Sequence, residues 1–193
     1  MSRSSSRGTD KEVAGVSAEL TKLERLLHQA PEATPVRVCA EIARLLHVQH
    51  TEVALLRAEK DVLKFLFPAE LRAAGSIPLS SSAVAARTAV TKTSVLSNTF
   101  VKVRHVSLFE TVKLGPGEAS SFQEPAPIQK LMSVPVHDAE GKILGVLQIS
   151  RKGFDQTAVG ADFAMEDLRL LEAVADIVAK LDFMNSAAPV AAK

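Results

Sequence analysis

The sequence has no tryptophan and no tyrosine, and phenylalanine, at eight residues, is its only large aromatic. A chain built this way is nearly transparent in the near ultraviolet, so a bound chromophore would stand out against an almost blank background. Cysteine is equally scarce: a lone Cys39 excludes an internal disulfide and any cysteine-rich zinc site, and fits a reducing compartment. No run approaches the ~18 apolar residues of a membrane span, and nothing near Met1 has the apolar centre of a signal peptide. Charge of one sign is missing too. The 23 Lys and Arg against 22 Asp and Glu leave a net charge of +1, with no electrostatic footprint for nucleic acid or an anionic membrane. These absences predict a cytoplasmic protein with neither kind of partner.

What is present is a globular balance, 47% hydrophobic and 23% charged over 193 residues, enough for one domain with helical extensions. The opening MSRSSSRGTDK, residues 1–11, reads as a disordered tail. Across residues 12–30, Val13, Val16, Leu20, Leu23 and Leu27, continued by Ala30, recur at spacings of three and four. That is a heptad seam, widened by Leu26 and flanked by Glu19 and Glu24. It is too short for an independent coiled coil. Packing on its own domain and pairing with a second chain both satisfy it.

Thr34-Pro35 supplies an N-cap and a first-turn proline for the next helix, whose apolar positions are Val38, Cys39, Ile42, Leu45 and Leu46. Cys39 is therefore expected in the core as a small hydrophobe. Residues 53–56 and 62–67 then read as a hairpin with a charged tip at 57–61, followed by a loop containing Pro68, Gly75 and Pro78. Ser80, Ser81 and Ser82 offer N-caps for a short helix over 83–90, and 94–96 is a short strand. Residues 99–129 have no strong period, the pattern of a binding loop or lid. A second hairpin spans 131–152 around Asp138-Ala139-Glu140-Gly141, with both faces of its second strand apolar. Pro135 and Gly145 within it hint at a bulge or at a group packed against the backbone. A closing helix over 163–183, capped by Asp162, carries a second seam of Ala164, Leu168, Leu171, Ala175 and Val178, and residues 184–193 form a tail.

Four segments in this order, VALLRAEKDVLKFLF, GSIPLSSSAVAARTAVTKTSVLSN, LMSVPVHDAEGKILGVLQISRKG and FAMEDLRLLEAVADIVAKL, resemble a GAF domain, the small-molecule-sensing relative of the PAS domain. The resemblance covers residues 34–183. It implies an α+β fold: a central antiparallel sheet of about six strands, helices on one face, and loops on the other enclosing a ligand pocket. It also implies a homodimer bundled through the terminal helices, which here would use Val13, Val16, Leu20, Leu23, Leu27, Leu168, Leu171 and Val178. The polar groups nearest the implied pocket are Ser80, Asn98, Arg104, His105, Ser133 and Gln148, with Phe100 and Phe109 as apolar walls.

The family's ligand branches are matched poorly. Cyclic-nucleotide binders carry Asn-Lys after the last strand and then Phe, three residues and Asp-Glu; this chain has Arg151-Lys152, Phe163 and Asp167, but Leu168 in the last place. Bilin binders need a cysteine beside the pocket, and methionine sulfoxide reductases need an attacking and a resolving cysteine, which Cys39 alone cannot supply. The spacing of His105 and His137 indicates no metal site, and His47 and His50 straddle a helix–strand junction. No catalytic constellation emerges, so the chain is expected not to be an enzyme, with a small redox enzyme as the remote alternative. Two readings stand: a stand-alone sensor that binds an unidentified small molecule and signals through a partner protein, or a ligand-free dimerisation scaffold.

Overall fold

A computed structural model describes residues 20, 21, 24, 25, 33–73, 75–100, 126–155 and 159–185. The chain divides into two compact units, Met1–Ala33 and Thr34–Lys193. In the first, Leu20, Thr21, Glu24 and Arg25 are helical, with Leu20 half-buried. Val13, Val16, Leu23 and Leu27 lie outside the described residues.

The second unit opens with α1, Pro35–Leu45. Its start follows the predicted chemistry: Thr34 Oγ1 accepts from Arg37 N at 3.4 Å and Pro35 occupies the first turn. Val38, Cys39, Ile42 and Leu46 are buried, while Leu45 is only half-buried. A 3-10 turn, His50–Glu52, then leads into β1, Val53–Glu59, and β2, Val62–Phe67. The expected charged tip is narrower than the sequence suggests. Arg57 and Glu59 stay in the ladder opposite Lys64 and Val62, because Glu59 pairs with both Arg57 and Lys64, and only Lys60 and Asp61 make the turn.

A 3-10 turn at Ala69–Arg72 precedes β3, Ser76–Pro78, a short edge strand inside what reads as a loop. It joins β2 through Leu63 opposite Ile77. Helix α2, Val84–Thr91, begins after Ala83 with no side-chain cap, so none of the three preceding serines performs the capping role expected of them. Strand β4 is Val95–Ser97, β5 is Ile128–His137 and β6 is Ile143–Lys152. In the β5–β6 turn, Asp138 Oδ1 accepts from the backbone N–H of both Glu140 and Lys142, and Gly141 takes φ 76°. Pro135 sits beyond the end of β4, which pairs only with Leu131, Met132 and Ser133, so its missing N–H breaks no β4 bond.

All pairings are antiparallel, in the order β3-β2-β1-β6-β5-β4. The hairpin β5–β6 therefore lies at the middle of the sheet, which explains why both of its faces are apolar. Register places Leu55, Leu147, Ile149, Met132 and Val134 on one face, and Ala54, Leu56, Val146, Gln148, Leu131 and Ser133 on the other. The second face forms a cluster with Leu63, Phe65, Ala85, Ala89, Phe100 and Ile128, so α2 covers it. Helix α1 packs on β1 and β2, and α3, Met165–Val178, packs on β5; neither contributes to that cluster, which puts both on the opposite face.

Two expectations for the closing helix change. It is not continuous to residue 183: α3 stops at Val178, and a separate turn α4, Asp182–Asn185, follows. Nor does Asp162 cap it. The first free N–H, from Ala164, is taken by Asp167 Oδ2 at 2.8 Å, while Asp162 pairs with the buried Lys130. The seam itself points inward. Leu168, Leu171 and Val178, which the resemblance places in a two-chain interface, are buried within this chain, on a helix packed against β5. An apolar stripe of this width is what a sheet face requires, and the nearest sheet is the chain's own.

Candidate functional site

The α2-covered face of the sheet carries the one cluster of neutral polar side chains that the sequence reading partly anticipated. Strands β5 and β6 set Ser133 directly opposite Gln148, and both project toward α2. On α2, Ala85 and Ala89 let the helix approach the sheet closely, and Thr88, on the same helical face, reaches across. Thr88 Oγ1 and Ser133 Oγ are 2.8 Å apart, and Gln148 Nε2 donates to Ser133 Oγ at 3.1 Å. Thr88 and Ser133 are fully buried and Gln148 is 6% exposed. Ala54, Leu56, Leu131, Val146 and Phe100 supply the apolar surroundings.

Proton counting shows what this arrangement leaves over. Two hydroxyl groups bring two protons and their mutual bond uses one; Gln148 brings two N–H donors and a carbonyl oxygen. One hydroxyl proton, one N–H and the Gln148 Oε1 acceptor have no partner among the described residues. Polar groups of this kind beside apolar side chains are ones that a ligand can satisfy. Among the described residues no carboxylate or imidazole hydrogen-bonds this trio.

The remaining candidates fall elsewhere. Asn98 is a latch: its Nδ2 donates to Phe163 O at 3.0 Å and its Oδ1 accepts from Phe163 N at 2.9 Å, fixing the entry to α3. Ser80 is exposed in a turn. Phe100 is buried in the hydrophobic cluster. Arg104, His105 and Phe109 lie outside the described residues. Thr88 was missed, although its spacing from Ala85 and Ala89 in AARTAVT marks the inward face of α2.

At the C-terminal end of β6, charge is employed structurally. Arg151 lies over the Phe163 ring at 4.9 Å, and Lys152 donates its backbone N–H to Glu52 Oε1 and its ammonium to Thr51 O. With Asp167 capping α3, the positions that partly match a nucleotide-binding pattern are all in use within the fold. Cys39 is fully buried, and desolvation pushes its thiol far above the ordinary range, so it is not ionised near neutral pH. His50 packs against Phe67 with ring centroids 4.4 Å apart, His137 Nδ1 lies 3.2 Å from Asp138 O, and among the described residues no three His, Cys, Asp or Glu side chains gather as metal ligands.

The chain thus forms a six-stranded antiparallel sheet with the longer helices α1 and α3 on one face and the short α2, over a buried polar trio, on the other. A family model of the GAF domain matches residues 32–181, and the chain belongs to that family. Among solved structures it is similar to the GAF domain of an Acinetobacter phosphoenolpyruvate-protein phosphotransferase, at 14% identity and a TM-score of 0.61, covering 84% of this chain and 89% of that one. A putative GAF sensor protein from Burkholderia vietnamiensis aligns at 15% identity and TM-score 0.55, covering 90% and 97%. The free methionine-R-sulfoxide reductase of Neisseria meningitidis, solved with its substrate, aligns at 18% identity and TM-score 0.53, covering 93% and 92%. Likeness at these identities is likeness of fold. No curated protein sequence matches the chain. Among the described residues no helix is long and apolar enough to cross a membrane.

Proposed function

We propose that this GAF domain is a regulatory module that binds a small, neutral, hydrogen-bonding molecule on the α2-covered face of its sheet and passes the signal to a partner protein. The observation that supports this most is Gln148, a nearly buried carboxamide whose oxygen and second N–H lack partners among the described residues, beside Ser133 and Thr88. The surrounding side chains are apolar and the trio is uncharged, which favours a neutral ligand over a nucleotide or a carboxylate. A role without catalysis accords with the buried, un-ionised Cys39 and with a Ser133 that no carboxylate or imidazole hydrogen-bonds among the described residues.

The scaffold reading keeps one point in its favour: Thr88, Ser133 and Gln148 already bond to one another, as residues filling their own cleft would. Homodimerisation belongs to both readings and is assigned to the N-terminal seam, since Leu168, Leu171 and Val178 are committed to the core. The discriminating experiment is native mass spectrometry of the freshly purified chain, followed by denaturing mass spectrometry, on the wild type and on Gln148→Met. A non-covalent mass adduct carried by the wild type and lost from the folded variant supports the sensor. A bare mass in both, with no thermal shift of the wild type across a panel of small neutral metabolites, refutes it and leaves the scaffold. An absorption spectrum of the same sample names the chemical class if the adduct is coloured.

A further inference from the structure

At the hairpin-tip end of the sheet, about 13 Å along β6 from Gln148 to Leu144, the turns of β1–β2 and β5–β6 and the end of α4 border an open groove of about 630 Å³. Its floor is apolar: Ala58, Ile143, Leu144 and Met184, of which Met184 is 3% exposed. Its rim is charged. Arg57 places two of its guanidinium nitrogens on Glu59 and donates the third to Phe183 O at 3.0 Å, tying α4 to the sheet. Lys64 pairs with the other Glu59 oxygen at 2.7 Å. These hydrogen bonds to Lys64 and Arg57 hold the Glu59 carboxyl below its usual range, so it stays ionised and answers two of the four cations at the rim. Asp138, the other rim carboxylate, is turned to the backbone N–H groups of Glu140 and Lys142. Lys60 and Lys142 remain, one on each turn, and among the described residues neither ammonium has an ion pair or hydrogen bond.

We propose that this groove is a second ligand site, which takes a small organic anion with an apolar body: the body lies on Ile143, Leu144 and Met184, and the anionic group bridges Lys60 and Lys142. The volume falls within the range of small-molecule sites. The two ammoniums come from separate hairpins, so a dianionic group such as a phosphate monoester can use both where a neutral molecule uses neither. The groove shares no lining residue with the Thr88, Ser133 and Gln148 trio, although its Ala58 and Ile143 pack against the same apolar cluster. Because Arg57 and Met184 connect its wall to α4, occupancy would also tighten α4.

The test is an NMR titration of the ¹⁵N-labelled full chain with phenyl phosphate, benzyl alcohol and inorganic phosphate, repeated on Lys60→Asn/Lys142→Gln. Asparagine tolerates the left-handed backbone of Lys60, φ 53°, and both side chains are exposed, so the variant is expected to fold. The expected result is saturable shifts at Gly141, Ile143 and Asn185 with phenyl phosphate, a Kd raised about tenfold in the double variant, and weaker binding of both comparison molecules. Three results would each overturn the proposal: no saturable shift at these residues, equal affinity in the double variant, or inorganic phosphate binding as well as phenyl phosphate. Shifts centred on Thr88, Ser133 and Gln148 instead would assign the anion to the other cleft and overturn it as well.

Discussion

Gly145 offers the sharpest test of the packing. It lies in β6, at the centre of the sheet, opposite Arg57 on one side and Val136 on the other. A Cβ there would stand 2.0 Å from Leu56 O, 3.1 Å from Leu56 C and 2.8 Å from Met184 Cε. Carbon and carbonyl oxygen meet between strands at about 3.3 Å, so Gly145→Ala requires β1 and β6 to separate locally by roughly 1.3 Å. Met184 could withdraw its methyl group, but Leu56 O is backbone and sits where the β1–β2 register is already irregular. Overpacking that side chains cannot relieve falls at the upper end of the usual ~1–3 kcal/mol. We expect Gly145→Ala to lose about 3 kcal/mol, which for a domain of this size lowers Tm by about 6–12 °C. The assay is urea and thermal unfolding followed by far-ultraviolet circular dichroism, the sequence having no tryptophan to report by fluorescence. Adding Met184→Ala should not restore the loss. Stability within about 0.5 kcal/mol of wild type, or full rescue by Met184→Ala, would show that the approach of Leu56 is not the constraint.

The two leucine seams should respond differently. Leu171→Glu places a carboxylate in the core and is expected to leave the chain unfolded or insoluble, whereas Leu23→Glu should leave it folded and shift sedimentation from dimer toward monomer; a folded, monomeric Leu171→Glu would restore that residue to the interface. Asn98→Ala removes two hydrogen bonds to Phe163 and should cost about 2 kcal/mol, with hydrogen exchange rising first at the start of α3; uniform exchange through the domain would argue against a local latch. Glu59, whose folded pKa lies below its unfolded one, contributes stability that is full above the unfolded glutamate range and disappears as pH falls through the folded value. Glu59→Gln should therefore flatten the acid side of the stability profile, and an unchanged profile would mean the pairing is not worth measuring. The native Cys39 thiol should resist a maleimide at pH 7 and react at once in denaturant, while reaction in the folded state would contradict its burial.

Periodicity carried most of this fold. The alternation in 131–152, the Thr34-Pro35 start and the Asp138 turn are local devices, so residues close in sequence were enough to read them. The short strand Ser76–Pro78 was not legible, because an edge strand of three residues exists only by virtue of the β2 backbone beside it. The same limit applied to the site. Ser133 and Gln148 were named from their strands, but that they meet is a consequence of register, and that Thr88 joins them depends on where α2 crosses the sheet.

By itself, then, the sequence determined that this is an α+β domain with a core hairpin and a cysteine on the buried stripe of its helix, since patterning and composition act through local geometry and solvent. The tertiary structure alone decided what the apolar stripe of α3 packs against and which polar side chains are left wanting a partner. Leu171 reads from the sequence as a heptad position, but burial depends on what the fold brings against it, and it found the chain's own sheet. Asn98 and Gln148 are equally polar by composition. One has its demand met by the Phe163 backbone across 65 residues of chain, and the other retains an unanswered carboxamide oxygen among the described residues, a difference that only contacts distant in sequence could create.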